Sequence, residues 1–521
     1  MEFNEEALEY HRGKIRPGKI GTSILTRVEG KRDLSLAYSP GVAFPCLEIE
    51  KNPESVYEYT GKGNRVAVIS NGTAVLGLGN IGAAAGKPVM EGKALLFKYF
   101  GGIDAVDVEI DSEDVDEIVR TVELISGTYG GINLEDFKAP ECFEIEERLK
   151  AKLGIPVFHD DQHGTAVVVG AGLMNALRVA GKEIGEMKVV INGAGAAGIA
   201  IGKMLRNLGV KNIVMCDSRG IISTSRKSEV RSQKSVVPQK IGESSTPAIS
   251  SGSLDGLNKY KSEFAVNEEG CLVDAVCDAD VFIGVSKKDL LTPEMLLSMA
   301  KNPIVFALAN PNPEIGWDVA HETRDDVIMA TGRSDFPNQV NNVLAFPGIF
   351  RGALDCRASE INEEMKRAAA FALARLVGSE KLVVGSGQVS RIIPDPFDER
   401  ILIEVAVAVS GAAVESDVCG EFDLGEYRKK LEKEFLSGEK NNPRTSTDEH
   451  GFVGKRFRHF KGKEYEVVAI GWDSESLKRV VVYRALYDDE KIWVRDFEEF
   501  ISEKEVDGKV VKRFERIGNA D

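Results

Sequence analysis

The chain is predicted to be an α/β protein in three parts: an amino-terminal α/β domain, a doubly wound domain on a parallel sheet, and a small β-barrel-like carboxy-terminal domain. Three observations predict this. At 521 residues the chain is too long for a single core. From Thr165 onward short apolar runs alternate with helical stretches, the spacing of a parallel, doubly wound sheet. After a polar stretch ending at His450, strand-like runs crowd together between polar turns. The boundaries that follow are 1–160, 161–418 and 451–516, with 419–450 as a linker.

Taken in order, Leu34-Ser-Leu-Ala-Tyr38-Ser-Pro40-Gly41 reads as an extended segment broken by a Pro-Gly turn. Arg65–Ser70 reads as a strand. Leu76–Gly82 is too glycine-rich for a regular element and reads as a loop that approaches something closely. Ala105–Ile110 alternates as a strand does, and Ser112–Ile125 reads as a helix capped by Ser112. Ala166–Ala180 is a helix of small apolar residues. Lys188–Asn192, Asn212–Asp217, Asp280–Gly284 and Pro303–Leu308 are strands, with a helix over Ala196–Leu208. Thr224–Ser253, rich in Ser, Lys and Gln without apolar periodicity, reads as a disordered insertion. Ser437–His450 is polar and linker-like. Glu464–Ile470, Arg479–Arg484 and Lys491–Arg495 supply the strands of the last domain.

Composition narrows the function classes. A formal net charge of −16 excludes a general nucleic-acid or anionic-membrane partner, because both need a cationic surface. The first residues are acidic and lack the pattern of a signal peptide, and no apolar run approaches the roughly 20 residues of a membrane helix. The seven cysteines form no Cys-x-x-Cys pair, so zinc and a disulfide framework are not expected, and a reducing cytoplasm is.

Two groups of residues carry chemistry. Gly193-Ala194-Gly195-Ala196-Ala197-Gly198 follows a strand and opens a helix, and Asp217 ends the next strand. That context is the one a dinucleotide site requires. The glycines admit the pyrophosphate, the helix terminus attracts it, and Asp217 accepts from the ribose hydroxyls. Asp217 favours NAD slightly over NADP, and Arg219 offsets it. The second group is two adjacent carboxylate pairs, Glu135-Asp136 and Asp160-Asp161, each at the end of an apolar stretch. Oxygen donors alone suit Mg²⁺ or Mn²⁺ rather than zinc or copper. Neighbouring side chains on a strand point apart, so Glu135 and Asp136 can share an ion only where the strand ends or twists. His159 and His163 flank the second pair and read as structural.

Six motifs occur in order: Leu36-Ala-Tyr38-Ser-Pro-Gly-Val-Ala43, Gly77-Leu-Gly-Asn-Ile-Gly82, Pro88-Val-Met-Glu-Gly-Lys93, Leu134-Glu-Asp136, Phe158-His-Asp-Asp-Gln-His-Gly-Thr165 and Pro337-Asn-Gln-Val-Asn341-Asn342-Val-Leu-Ala-Phe-Pro347. Over residues 1–415 the chain resembles the malic enzyme family in its short prokaryotic form. The resemblance implies oxidative decarboxylation of (S)-malate to pyruvate and CO₂ with NAD or NADP and Mg²⁺ or Mn²⁺, and a homodimer or higher homo-oligomer. It assigns Lys93 as general base, Tyr38 as general acid, Asp160 as the lysine's partner, and Glu135, Asp136 and Asp161 as metal ligands. Asn310, with Asn341 or Asn342, would hold the substrate carboxylate, together with Lys93. Asn71–Gly77 lacks the arginine that eukaryotic relatives use to grip malate. The alternatives are a malolactic-type enzyme that releases lactate and a non-catalytic dinucleotide-sensing scaffold. The segments around Arg458–Gly462, Tyr483–Tyr487, Trp493–Arg495 and Arg513-Phe514 resemble a small bacterial domain of uncharacterised function, with no catalysis expected there.

Overall fold

The computed structural model describes residues 3–12, 18–26, 28–75, 77–225, 257–378, 391–436, 452, 454–472, 478–487, 491–506 and 509–517. It divides into two compact units, Met1–Ser437 and Gly438–Asp521. The expected insertion at 224–253 lies outside the described residues apart from its first two, and so does 437–450.

The first unit is built on two sheets. The smaller has β1 (Arg65–Ser70), β2 (Asp104–Glu109), β3 (Gly131–Leu134) and β4 (Val157–His159), all parallel, in the order β2-β1-β3-β4. The larger has β5 (Lys188–Asn192), β6 (Asn212–Asp217), β7 (Gly220–Ile221), β8 (Val281–Gly284), β9 (Ile304–Ala307) and β10 (Ile328–Thr331), ordered β10-β9-β8-β5-β6-β7. Its pairs are parallel except β6 with β7.

The two-residue period of a strand explains why this sheet is doubly wound. Val189 and Ile191 of β5, Ile213 and Met215 of β6, Val281 and Ile283 of β8, and Ile304 and Phe306 of β9 enter one core. Val190, Val214, Cys216, Phe282, Val305 and Ala307 enter a second core on the opposite face. The first core also takes in Val66–Ile69, Ile132, Leu134 and Phe158, so both sheets share it. The helix Asp160–Ala180 begins where β4 ends and carries the chain to β5.

Local expectations differ from the structure in four places. Lys31–Ala37 is helical, not extended. The Pro40 constraint reaches back only to Ser39, and Leu34, Leu36 and Ala37 favour helix. The helix expected from Ser112 starts at Val115 and is capped by Asp114, whose carboxylate accepts from the Glu117 amide at 3.0 Å. Ser112 accepts instead from the Asp114 amide. The helix read from Ala166 starts at Asp160, because Asp160 and Asp161 suit the positive first turn of a helix. Finally, Leu424–Phe435, placed within the linker, is a helix whose Tyr427 and Leu431 pack on Ile403 and Ala406.

The second unit contains β11 (Arg456–His459), β12 (Glu464–Trp472), β13 (Arg479–Ala485), β14 (Ile492–Asp496), β15 (Glu503–Val506), β16 (Lys509–Lys512) and β17 (Phe514–Ile517). Five strands form an antiparallel sheet in the order β14-β13-β12-β11-β17, while β15 and β16 pair with each other. Among the described residues the sheet is therefore open rather than a closed barrel. The two strands that could have closed it form a separate hairpin. Its core is aromatic: Phe457, Tyr483, Phe497, Phe500 and Phe514 are buried with Val467 and Val481.

Candidate active site

Lys93 lies on the helix Ala83–Gly101 and is 6% exposed. Its Nζ is 2.5 Å from Asp160 Oδ2 and 2.8 Å from Glu135 Oε1, and 4.4 Å from the centre of the Phe346 ring. Glu135 is placed by the end of β3. Its amide donates to Ile69 O on β1, and its second carboxylate oxygen accepts from Asn133 Nδ2 at 2.8 Å. Asp136 then adopts φ +56°, the left-handed region that Asp tolerates better than most residues. This breaks the strand alternation between the two adjacent carboxylates. The Asp136 amide donates to Asp161 Oδ2 at 2.8 Å, which ties the end of β3 to the first turn of Asp160–Ala180.

The charges are unbalanced: one lysine faces the carboxylates of Asp160, Glu135 and Asp161. Burial disfavours the lysine's charge, but these carboxylates outweigh it and hold its pKa above the ordinary value. Burial in turn pushes Glu135 and Asp160 up to about 7 and Asp161 up to about 6, against the opposing pull of Lys93. Buried carboxylates with too little positive charge, offering oxygen donors only, fit a hard divalent cation. Among the described residues no three His, Cys, Asp or Glu side chains converge into a ready metal-holding group. The reason is visible in the hydrogen bonds: Glu135 is turned onto Lys93 and Asp161 onto the Asp136 amide.

The other expected residues are spread differently. Asn342 hydrogen-bonds towards the Asp160 carboxylate. Asn341 uses its carbonyl oxygen to accept from the Val343 amide at 3.0 Å, capping the short turn Asn342–Leu344. Asn310 is exposed beyond β9, where its backbone carbonyl lies against Gly77. Tyr38 is 76% exposed at the end of Lys31–Ala37 and is not brought into the cluster. His163 Nε2 is 2.8 Å from Glu146, and burial lowers its pKa to about 4, so it is taken up structurally.

The glycine motif forms a cradle. Gly193 has φ +125°, and a Cβ on Gly198 would lie 1.7 Å from Gly193 O. A Cβ on Gly195 would meet nothing within 4 Å, so that side of the loop is open. The helix Ala196–Asn207 has no side-chain cap, leaving its first amides available to a pyrophosphate. Asp217 closes β6 as expected. A residue the sequence reading missed stands on it: Lys261 Nζ is 3.2 Å from Asp217 Oδ2, with Arg219 at 4.0 Å. Two further residues were missed, the Phe346 ring over Lys93 and Glu146. Glu146 is buried and accepts from His159 N and Gln162 Nε2 as well as facing His163. Phe346 lay inside a recognised motif, but its contact is set by the fold alone. Glu146 carried no signal beyond helical spacing.

A doubly wound sheet with a pyrophosphate cradle, beside a buried lysine–carboxylate cluster, defines an NAD(P)-dependent oxidoreductase. Residues 18–150 match the family described as malic enzyme, N-terminal domain, and 162–414 the malic enzyme NAD-binding domain. The chain is 52% identical over 445 residues to the bifunctional malic/malolactic enzyme of Bacillus subtilis (strain 168), covering 84% of this chain and 100% of that protein. It is 49% identical over 440 residues to the NADP-dependent malic enzyme of Escherichia coli (strain K12), covering 81% of this chain and 54% of that longer protein. The crystal structure of malic enzyme from Pyrococcus horikoshii OT3 superposes with a TM-score of 0.72 at 41% identity, over 82% of this chain and 96% of that one. The chain belongs to the malic enzyme family. Residues 455–516 match a separate family, a protein of unknown function (DUF1653).

Proposed function

We propose that the chain oxidises and decarboxylates (S)-malate to pyruvate and CO₂ with reduction of NAD(P)⁺. The observation that carries this is Lys93, buried between Glu135 and Asp160. A bound Mg²⁺ or Mn²⁺, held by Glu135, Asp136 and Asp161, would supply positive charge beside substrate oxygens that become negative. Lys93 takes the proton of the C2 hydroxyl as hydride leaves for the nicotinamide. Were Glu135 and Asp161 engaged by such a cation, Lys93 would keep Asp160 as its near carboxylate and would lose part of the charge that holds its pKa up, as a base requires. Asp160 fixes the ammonium, and the Phe346 ring covers it and excludes water. Asn310 and Asn342 hold the substrate carboxylate. Loss of CO₂ breaks the bond between C3 and its carboxylate and leaves an enol, and Tyr38 gives C3 the proton that completes pyruvate.

Tyr38 can do so only once its segment is docked. The helices Lys31–Ala37 and Ala43–Lys51 bury none of their residues, and Ile24, Leu25, Leu36 and Phe44 are exposed beside them. Such a surface marks an interface. Its occupant in this reading is a second copy of the chain, giving a homodimer. Leu36→Glu with Phe44→Glu should yield monomers by sedimentation and lose activity, whereas an unchanged dimer would remove the reading. Lys261, beside Asp217, favours NADP⁺ by meeting a 2′-phosphate. Among the described residues no helix is long and apolar enough to cross a membrane, which fits a cytoplasmic enzyme of small-molecule metabolism.

The test is reduced nicotinamide appearing in step with pyruvate, lost in Lys93→Ala and on chelation. The Bacillus subtilis relative is named a malic/malolactic enzyme, and lactate without free reduced cofactor would point to that second chemistry.

A further inference from the structure

Cations converge in the carboxy-terminal unit, where two arginines share the one carboxylate of Glu499. His459, at the end of β11, pairs in register with Phe514, and the two rings are 4.8 Å apart. The preceding residue, Arg513, is 13% exposed at its side chain, and its Nε is buried without a hydrogen-bond partner. Arg495, on β14, donates from Nε to the Tyr483 hydroxyl at 3.1 Å, and the Tyr483 ring lies 5.3 Å from that of Phe514. Lys461 and Lys504 both lie over the Phe460 ring, at 5.8 and 6.0 Å. Phe460 is itself held by its amide, which donates to Arg513 O at 3.1 Å. The positive charges of Arg495, Arg513, Lys461 and Lys504 all act on His459, whose pKa burial first and these charges next hold below the ordinary value.

Against these cations stands Glu499. Its Oε1 is 2.7 Å from Arg495 Nη1 and 2.8 Å from Arg513 Nη1, and the side chain is 45% exposed. Two other arginines of the unit are each matched by one carboxylate: Arg458 by Glu464 and Arg484 by Glu466. Among the described residues, Lys461 and Lys504 have no ion-pair partner. A single carboxylate oxygen shared by two guanidiniums, with two further ammoniums and an imidazole nearby, is the arrangement of an internal acid standing where a stronger anion would sit.

We propose that the carboxy-terminal unit holds a binding site for a small phosphate-bearing metabolite, formed by His459, Arg495 and Arg513, ringed by Lys461 and Lys504, and closed in the free protein by Glu499. The multiply charged oxygens of a phosphate use guanidinium forks and ammoniums together better than one carboxylate does. A small ligand is favoured over a nucleic acid because the chain as a whole carries −16 and repels a long polyanion. The site makes no use of the malate reading and stands or falls apart from it.

The test is calorimetric titration of the full chain with inorganic pyrophosphate, its cofactor site first saturated with NADP⁺. Melting curves of every variant check folding. The expected result is binding that weakens at least tenfold in Arg495→Gln and several-fold in the exposed-lysine variant Lys461→Gln/Lys504→Gln, and that tightens in Glu499→Gln. The last change separates competition by Glu499 from a merely structural role, since a structural acid would not improve binding when neutralised. Equal affinity in wild type and all variants, or no binding, overturns the proposal. Binding of an oligonucleotide or of anionic vesicles without binding of pyrophosphate overturns it too, in favour of a macromolecular phosphate.

Discussion

Replacing Lys261 by alanine tests how the chain chooses its cofactor. Lys261 Nζ sits 3.2 Å from Asp217 Oδ2, at the end of β6 where the proposed cofactor would place its adenosine ribose, and its side chain is 26% exposed. A hydrogen bond to a charged partner is worth about 1.5–3 kcal/mol, or roughly 10- to 150-fold in affinity. Partial exposure and screening by salt place Lys261 in the lower part of that range. The expected loss for NADP⁺ is therefore about 10- to 30-fold in kcat/KM. For NAD⁺, which has no 2′-phosphate, Lys261→Ala removes only a competitor for Asp217. Its kcat/KM should stay within roughly threefold, or rise. The assay is initial rate of nicotinamide reduction at saturating malate with each cofactor in turn, at low and high salt. An equal loss with both cofactors, or none with either, would refute the reasoning that Lys261 reads the 2′-phosphate.

Other perturbations have equally definite outcomes. Gly198→Ala would put a Cβ 1.7 Å from Gly193 O, so cofactor affinity measured by fluorescence titration should collapse. Glu146→Ala strips a buried acceptor from His163, Lys150 and the His159 amide, and chemical denaturation should show a loss of about 3–5 kcal/mol. Asp326 accepts two bonds of 2.8 Å from Arg324, which hold its pKa below the ordinary value. A lowered folded pKa gives stability that is present above the unfolded value of about 3.9 and is lost as pH falls through the folded one. Asp326→Asn should therefore melt below wild type at neutral pH, with the difference shrinking in strong acid. Truncation after Ser437 should keep malate turnover. Truncation at Gly420 removes the helix Leu424–Phe435 from Ile403 and Ala406 and should lower the melting temperature.

The parts of the fold readable from the chain were those with a strict period. Four strands of the large sheet, β5, β6, β8 and β9, announced themselves as short apolar runs, whereas the two-residue β7 and the outer strand β10 did not. The end of β3 was readable from chemistry: Glu135 and Asp136 require a break in alternation, and the φ of Asp136 is that break. What the sequence hid depends on distance in space. Phe346 reaches Lys93 across more than two hundred and fifty positions of chain. Lys261 reaches Asp217 from beyond the segment read as an insertion. The helix Lys31–Ala37 was misread because the Pro-Gly signal that follows it outweighed a weak local preference. The barrel was misjudged because strand count does not reveal which strands pair, and β15 with β16 leaves the sheet open.

The most direct test of the central claim is a parallel assay of the full chain with (S)-malate and Mn²⁺, supplied with NAD⁺ or NADP⁺, following reduced nicotinamide and pyruvate together. The account predicts equal amounts of both products, faster formation with NADP⁺, and loss of both in Lys93→Ala and on chelation. Cofactor binding without pyruvate or lactate would contradict it and leave a buried lysine–carboxylate cluster that performs no such reaction.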